Sequence, residues 1–418
     1  MVDKEATIDE VQLIVPPEAE FHLGKGLFLG SKYIANFEPK VEQLVDSMND
    51  GVAETLVYYK LVFADGSESE IRALLLSELD AVNWHDIDLR CRINPGFSGA
   101  SKHIASFMRA DFSEIIRETE QILDRTGGHD IDGTAVFYDG SELIAPIGIG
   151  SKSKIKLIET TQKMVVDPNC SERQAIDGIM RIVSLSPSAI WIILMHCLLA
   201  IMRPVYAEVY KVPRFILFLV GLTGTKKTTI AAFLTQMCNR DKGILSPLRL
   251  RSSSPAFEQI LYDAVDCAVV LDDLFPAESS ETKRDQEKTF NDLLRAVGDD
   301  SGRAIKQGNE VVTKTPRCNV MTTGEYLVGT GSDAARMLPI MFPRPIDTAK
   351  LTECQSEPLI VSTFYRYFIV WYITNYQRIR DLLTELLAES RMVHMGVHGR
   401  LQERLGVVPK LQINHPAN

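Results

Sequence analysis

Residues 215–238 read FILFLVGLTGTKKTTIAAFLTQMC, and this stretch contains the pattern that decides the fold. Its first six residues are apolar without polar alternation, which predicts a strand buried on both faces, as in a parallel sheet. A glycine-containing turn at 221–228 follows, and apolar residues then recur at helical spacing as far as Met237. A buried strand, a turn ending in Lys-Thr and a helix together indicate a phosphate-binding loop for a nucleotide.

The residue types of this loop suit ATP and Mg²⁺. Backbone N–H groups of the turn and of the helix N-terminus can point at phosphate groups. We expect Lys227 to reach the β- and γ-phosphates and the Thr228 hydroxyl to bind Mg²⁺. The residues predicted to contact the nucleotide are Gly221, Thr223, Gly224, Thr225, Lys226, Lys227, Thr228 and Thr229.

One residue departs from the usual pattern, which has glycine directly before the lysine, whereas this chain has Lys226. Its side chain could crowd the approach of the phosphates or place a second positive charge beside them. The structural alternative is an ordinary strand–helix turn with lysines present by chance. The strong flanking strand and helix, and a second motif downstream, favour the phosphate-binding interpretation.

The second motif is CAVVLDDL at 267–274, a short apolar strand that ends in two acidic residues. An acidic residue at the end of a strand beside a phosphate loop holds Mg²⁺, commonly through water. The next acidic residue can orient or deprotonate the attacking water. We therefore predict a metal role for Asp272 and a catalytic role for Asp273; the alternative is that these carboxylates only cap the following turn.

Further downstream, the stretch 303–312 predicts a β-hairpin around Gln-Gly-Asn, followed by a core strand at 318–321. That strand ends in Thr322 and Thr323, either of which could sense the γ-phosphate or position water; Thr323 is included in the predicted catalytic set. Arg336 precedes another apolar strand at 337–342. It could be an arginine finger for a neighbouring subunit's nucleotide, or a structural ion pair.

The chain of 418 residues is expected to contain two or three domains. We predict a β-rich α+β domain at 1–165, an α/β phosphate-loop ATPase domain with a parallel sheet and helices on both faces at 171–345, and a helical region at 346–418. The net charge of −10 makes the chain no obvious nucleic-acid binder, although a ring could enclose a local basic channel.

The cysteine content and the apolar segments indicate in which cellular compartment the protein is expected. The seven cysteines are odd in number and include no CxxC pair, which disfavours a disulfide framework or a structural zinc site. The apolar run 189–202 is shorter than the roughly 20 residues of a membrane span and predicts a buried core helix. With no signal peptide at the N-terminus, we expect a cytoplasmic protein without a membrane partner.

The order of these features resembles the AAA+ ATPases that carry a hairpin before the sensor-1 strand. Within that group, LLRAVGDDSGRAIKQGN (293–309), CNVMTTGE (318–325) and GSDAARMLPI (331–340) look like the replicative helicase-like ATPases of bacterial integrative elements, plasmids and phages. Those are related to the minichromosome-maintenance and superfamily 3 helicases. TGGHDIDGTAVFYDG (126–140) is similar to the region ahead of their ATPase domain, so the resemblance covers about residues 100–345.

The resemblance implies a homo-hexameric ring around single-stranded or forked DNA, with ATP hydrolysed at subunit interfaces. Lys306, near the hairpin tip, matches the place where such rings put a basic residue in the channel. The expected function is an ATP-dependent DNA helicase or translocase in the replication of a mobile element. Two alternatives are an AAA+ ATPase that remodels protein complexes and a nucleotide-binding scaffold with a degraded loop. The hairpin lacks an aromatic pore residue, and Asp272 and Asp273 disfavour the scaffold.

Overall fold

The computed structural model divides the chain into two compact units, which we describe separately. The first contains residues up to 122 and residues 153–156, and the second contains 123–152 and everything after 156. The structure describes residues 19–49, 52–115, 117–146, 154–160, 162–238, 248–249, 254–274, 280–299, 302–307, 310–326, 333–342 and 345–392.

The first unit is mainly β structure, as the sequence predicts. Its first seven strands are β1 (Ala19–His22), β2 (Gly26–Leu29), β3 (Lys32–Ala35), β4 (Phe37–Asn49), β5 (Val52–Phe63), β6 (Arg72–Leu75) and β7 (Arg117–Leu123). Its helices are α1 (Trp84–Ile87) and α2 (Ala100–Ala110), with short 3-10 helices at Leu76–Ala81 and Asp111–Ser113.

Two sheets form this unit. Strands β1, β2 and β3 make a three-stranded meander, and a later strand, β11 (Lys154–Leu157), completes the five-stranded sheet β11-β7-β4-β5-β6. Strands β5 and β6 form an antiparallel pair, with Leu56 opposite Leu75. In the core of this unit, the buried Trp84 ring contacts the rings of Phe37 and Tyr59.

The second unit is built around a five-stranded parallel sheet. Its strands lie in the order β13-β14-β17-β12-β18. Their bounds are β12 (Ile216–Val220), β13 (Leu248–Arg249), β14 (Ala268–Leu274), β17 (Asn319–Gly324) and β18 (Met337–Met341). All four neighbouring pairs are parallel, so the carboxyl ends of the strands meet at one edge of the sheet.

Strand β12 explains why helices cover both faces of this sheet. All five of its residues are buried, and alternate residues belong to different cores. Leu217 and Leu219 pack with α6 (Lys227–Leu234) on one face, whereas Phe218 packs on the other face with residues of α8 (Ser280–Asp299). Because side chains alternate along a strand, the apolar run without polar residues requires this double burial.

The remaining helices surround the sheet or follow it. They are α3 (Glu172–Ser184), α4 (Pro187–Ile201), α5 (Arg203–Val209), α7 (Ser254–Asp263), α9 (Thr348–Gln355), α10 (Ile360–Thr374) and α11 (Tyr376–Met392), with a 3-10 helix at Ala334–Arg336. Helix α4, the predicted core helix, docks onto β17, where the buried His196 Nε2–H donates to the carbonyl of Val320 at 3.2 Å.

A small sheet belongs to the second unit although we placed its residues in an N-terminal domain ending at 165. It consists of β8 (Gly127–Ile131), β9 (Thr134–Tyr138) and β10 (Leu143–Ile144). A Cβ at Gly128 would lie 2.7 Å from Cγ of Pro204, and the Gly128 N–H donates to Asp266 at 2.9 Å. Glycine therefore allows β8 to pack directly on the residues that precede β14.

The described helices after residue 345 also lie within the second unit. The division into domains at 1–165, 171–345 and 346–418 remains a prediction about autonomous folding. Two strands, β15 (Arg303–Gln307) and β16 (Glu310–Lys314), form the predicted hairpin, with Gln307 opposite Glu310.

Two whole-chain features complete the description. All seven cysteines are free thiols. Within the described residues, no single helix is long and apolar enough to cross a membrane, although α4 and α5, bent by 66°, reach that length and composition as a pair.

Candidate functional site

The loop between β12 and α6 lies at the carboxyl edge of the parallel sheet. Its first residue is joined to the neighbouring strand, since the Gly221 N–H donates to the carbonyl of Gly324 at 3.1 Å. Two of its residues have left-handed backbone conformations, Gly224 with φ 87° and Lys226 with φ 64°. Helix α6 begins directly afterwards at Lys227, so its unpaired N–H groups face the loop, as in an anion-binding site.

Lys226 therefore takes the backbone conformation that glycine adopts without strain. A left-handed conformation costs a non-glycine residue about 1–2 kcal/mol. The departure from the usual motif therefore appears as backbone strain in Lys226.

Three side chains from three elements meet beside the loop. The Thr228 hydroxyl, on α6, lies 2.9 Å from Oδ1 of Asp272 and 3.2 Å from the hydroxyl of Thr323. The Thr323 hydroxyl also donates to the same carboxylate oxygen. Asp272 comes from β14 and Thr323 from β17, the strand between β14 and β12. The structure thus brings together three of the predicted site residues.

The structure also distinguishes Thr322 from Thr323, between which the sequence alone did not choose. Thr323 reaches Asp272, whereas Thr322 is fully buried and, among the described residues, its hydroxyl has no hydrogen-bond partner. The pairing of β14 with β17 is irregular between Leu271 and Leu274, the segment that contains Asp272. Such bulges redirect side chains near functional sites. The side chain of Asp273 lies outside the described residues, so its catalytic role stays a prediction.

Lys227 is 8% exposed, and its ammonium group donates to the carbonyl of Leu222 at 3.4 Å. The same carbonyl accepts a hydrogen bond from the Thr225 hydroxyl at 2.8 Å. Because this buried ammonium group donates to a loop carbonyl at 3.4 Å, it is well placed to exchange that contact for a phosphate oxygen. Thr229, by contrast, is exposed on the first turn of α6.

The donor set fits a hard divalent cation. A hydroxyl and a carboxylate at 2.9 Å are oxygen ligands of the kind that Mg²⁺ prefers. No group of three or more His, Cys, Asp or Glu side chains within the described ranges could hold a metal ion. Mg²⁺ keeps several waters and takes further ligands from substrate phosphates, so a one-carboxylate site suits it.

Arg336 lies away from this edge. It is 9% exposed, with its guanidinium 2.7 Å from Asp299 of α8 and 3.6 Å from Asp333. It precedes β18, whose Met337 is opposite Ile216 at the start of β12, whereas the loop follows the end of β12. Four strand steps, or about 13 Å, separate the two ends. The ion pair left open as an alternative is observed, and Arg336 does not serve its own chain's loop.

Lys306 lies on β15, opposite Val311 of β16. Its side chain and the hairpin tip at 308–309 lie outside the described residues, so its DNA-binding role stays a prediction. At the base of the hairpin, the Lys314 ammonium group contacts Gln259 and lies 5.8 Å from the ring centroid of Tyr262.

Sequence reasoning missed one side chain at the loop. Glu325, directly after β17, accepts a hydrogen bond from the Thr223 hydroxyl. The only sequence signal was its position, two residues after Thr323 at the end of a predicted core strand. Since the contact joins residues 102 positions apart, no local pattern could reveal it.

No family model matches the sequence, and the search of curated proteins returned no match. Among solved structures, the active helicase Cch of SCCmec type IV is similar, with a TM-score of 0.54 at 12% identity over 93% of this chain and 72% of that one. A structure of JCV helicase matches with a TM-score of 0.30 at 15% identity, over 59% of this chain and 62% of that one. The likeness to the first shows that this mixed α/β chain, with its central parallel sheet, has a helicase-like fold.

Proposed function

We propose that the chain is an ATP-dependent DNA helicase or translocase of the AAA+ class, which acts as a ring in the replication of a mobile element. The observation that carries the proposal is the meeting of Thr228, Asp272 and Thr323 beside the loop that holds Lys227. This set contains the cation, hydroxyl and carboxylate that phosphoryl transfer from ATP requires.

Each of the site residues has a separate role in the proposed reaction. Lys227 and the N–H groups of the loop and α6 bind and orient the triphosphate. Thr228 and Asp272 would hold Mg²⁺, which when bound neutralises charge on the phosphates. Thr323 holds the Asp272 carboxylate in place and can orient water, and Asp273 is the proposed base for that water. Arg336 would stabilise developing charge at a neighbouring subunit's nucleotide.

DNA is proposed to contact the β15–β16 hairpin. One lysine per subunit, Lys306, would contact strand phosphates without reading sequence. Movement of the hairpin between nucleotide states would then displace the strand. The backbone of the hairpin supports this proposal, since its two arms pair from Arg303–Lys314 to Gln307–Glu310 and leave a two-residue tip.

The test is ATP hydrolysis with and without single-stranded DNA. We expect the wild type to be stimulated by DNA and Lys227→Ala to lose hydrolysis under both conditions. Lys306→Ala should keep basal hydrolysis and lose the stimulation, whereas Lys350→Ala, which removes an exposed lysine on α9, should behave as the wild type. Full hydrolysis by Lys227→Ala would exclude this site, and unchanged stimulation of Lys306→Ala would exclude the hairpin.

A further inference from the structure

Glu325 lies against the phosphate loop, although no motif assigns it a role. Its carboxylate accepts a hydrogen bond from the Thr223 hydroxyl, and the preceding residue accepts the N–H of Gly221 at 3.1 Å. The last residue of β17 and the residue that follows it are therefore both joined to the loop. Within the described part of the chain, Thr223 is the one residue seen to donate a hydrogen bond to this carboxylate.

Thr223 lies at the end of the loop where a terminal phosphate is expected. The Lys227 ammonium group, which pairs with the β- and γ-phosphates in loops of this type, donates to the carbonyl of Leu222 at 3.4 Å. Leu222 is bonded to Thr223, so the ammonium group and the Thr223 hydroxyl occupy the same end of the loop.

The carboxylate and a γ-phosphate would compete for this end. A hydroxyl group has one proton to donate, and Thr223 donates it to Glu325. A γ-phosphate oxygen can accept that proton only after the carboxylate has withdrawn. Glu325 also carries the same sign of charge as the phosphate, and like charges at close range oppose each other. ADP has no γ-phosphate and meets neither obstacle.

We propose that Glu325 is a specificity-determining residue that sets the relative affinity of the site for ATP and ADP. Its carboxylate accepts the hydrogen bond of the Thr223 hydroxyl while the γ-phosphate position is empty. It therefore weakens the binding of ATP more than the binding of ADP. The proposal rests on the proposed function, because it assumes that the loop binds these nucleotides. Removing the charge should therefore favour ATP selectively.

The experiment is calorimetric titration of the full chain with Mg²⁺-ADP and with the Mg²⁺ complex of the non-hydrolysable imido analogue of ATP. Glu325→Gln keeps the shape and an acceptor oxygen and removes the charge. We expect it to bind the analogue about tenfold more tightly, with ADP affinity changed less than about twofold, since each factor of ten corresponds to about 1.4 kcal/mol. Glu357→Gln, which removes the carboxylate that accepts from Arg181, is the matched control and should bind both as the wild type does.

A variant of the donor residue, Thr223, tests the proposal independently in case Glu325→Gln does not fold. Thr223→Val removes the hydroxyl and keeps the branched shape, so it should weaken analogue binding about tenfold and spare ADP; Thr223→Ser should restore the wild-type ratio. An unchanged ratio in folded Glu325→Gln or in Thr223→Val overturns this proposal and leaves the proposed function standing. A fall in turnover of Glu325→Gln at an unchanged ratio also overturns it. If the wild type binds neither nucleotide, both proposals fail.

Discussion

At the scale of single residues, Lys226 occupies the position where phosphate-binding loops usually have glycine, and it takes the backbone conformation that glycine favours. The residue has φ 64° and ψ 18°, the left-handed conformation, directly before the first residue of α6. Without a Cβ, glycine adopts this conformation freely, whereas any other residue meets steric strain. The strain is confined to one residue and leaves the contacts of Lys227 and Thr228 in place.

We predict that Lys226→Gly makes the chain more stable than Lys226→Ala by about 1 kcal/mol. Both variants remove the lysine side chain, and only alanine retains the Cβ that opposes the left-handed conformation. The measurement is the midpoint of thermal unfolding of the two variants under the same conditions. A lower midpoint for the glycine variant would contradict the left-handed backbone at this position.

His196 gives a second prediction at this scale, for pH. Its burial, with a smaller contribution from the Arg203 charge, lowers the pKa of His196 from 6.5 to about 4. The folded chain therefore keeps this imidazole neutral while the unfolded chain takes up a proton below pH 6.5. Stability is present in full above pH 6.5 and falls as the pH drops towards 4, by about 3 kcal/mol.

The control is His196→Gln, which cannot titrate and keeps an N–H donor for the Val320 carbonyl. The carboxylates contribute equally to both proteins, so the difference between their denaturation midpoints isolates the histidine. We expect that difference to change between pH 7 and pH 4.5 in favour of the variant. Parallel pH profiles would show that His196 is not held neutral in the fold.

At the scale of elements, the sequence predicted local structure well and long-range contacts poorly. The sequence predicted β12, the loop, α6 and the β15–β16 hairpin, because an unbroken apolar run, a glycine-containing turn that ends in Lys-Thr and a short polar turn are local signals. The strand order was not predictable from periodicity. That order determines which strand ends meet, so only the fold shows that Thr323, and not Thr322, reaches Asp272.

The packing of β8 within the second unit was not predicted for a similar reason. Gly127 and Gly128 allow close approach to Val265 and Pro204, respectively. A glycine that permits contact with distant residues has the same sequence signature as one that ends a strand.

Helix packing provides the prediction at this scale. Gly178 of α3 faces α10, and a Cβ there would lie 2.3 Å from Cγ1 of Ile360. We expect overpacking in Gly178→Ala to cost the second unit about 1–3 kcal/mol of stability. The roughly 1 kcal/mol gain in helix propensity offsets part of this cost, so the net destabilisation should reach about 2 kcal/mol. The measurement is the unfolding midpoint of the variant.

The control is a double-mutant cycle with Ile360→Ala, which removes the atom that the new methyl group would meet. In that background Gly178→Ala should cost at least about 1 kcal/mol less than in the wild type. Equal costs in the two backgrounds would mean that the glycine does not set the distance between α3 and α10.

At the scale of the whole molecule, the position of Arg336 bears on whether ATP hydrolysis would need a second subunit. Its guanidinium is paired with Asp299 and Asp333 at the end of the sheet opposite the loop. As a finger it could act only on another subunit, in a head-to-tail ring in which each interface joins one subunit's loop to its neighbour's arginine. As a purely structural ion pair, Arg336 would affect the stability of its own subunit and would have no role in hydrolysis at a neighbouring subunit's loop.

Mixing two inactive variants separates these possibilities. Lys227→Ala retains Arg336, and Arg336→Ala retains the loop, so we predict that an equimolar mixture hydrolyses ATP although neither variant does so alone. In randomly mixed rings about a quarter of the interfaces join an intact loop to an intact arginine. Without cooperativity between interfaces, we therefore expect the mixture to hydrolyse ATP at about a quarter of the wild-type rate. Asp299→Asn mixed with Lys227→Ala is the control, because Asp299→Asn weakens the ion pair without removing the arginine. A mixture as inactive as its components, from variants that still assemble, would assign Arg336 to the fold alone.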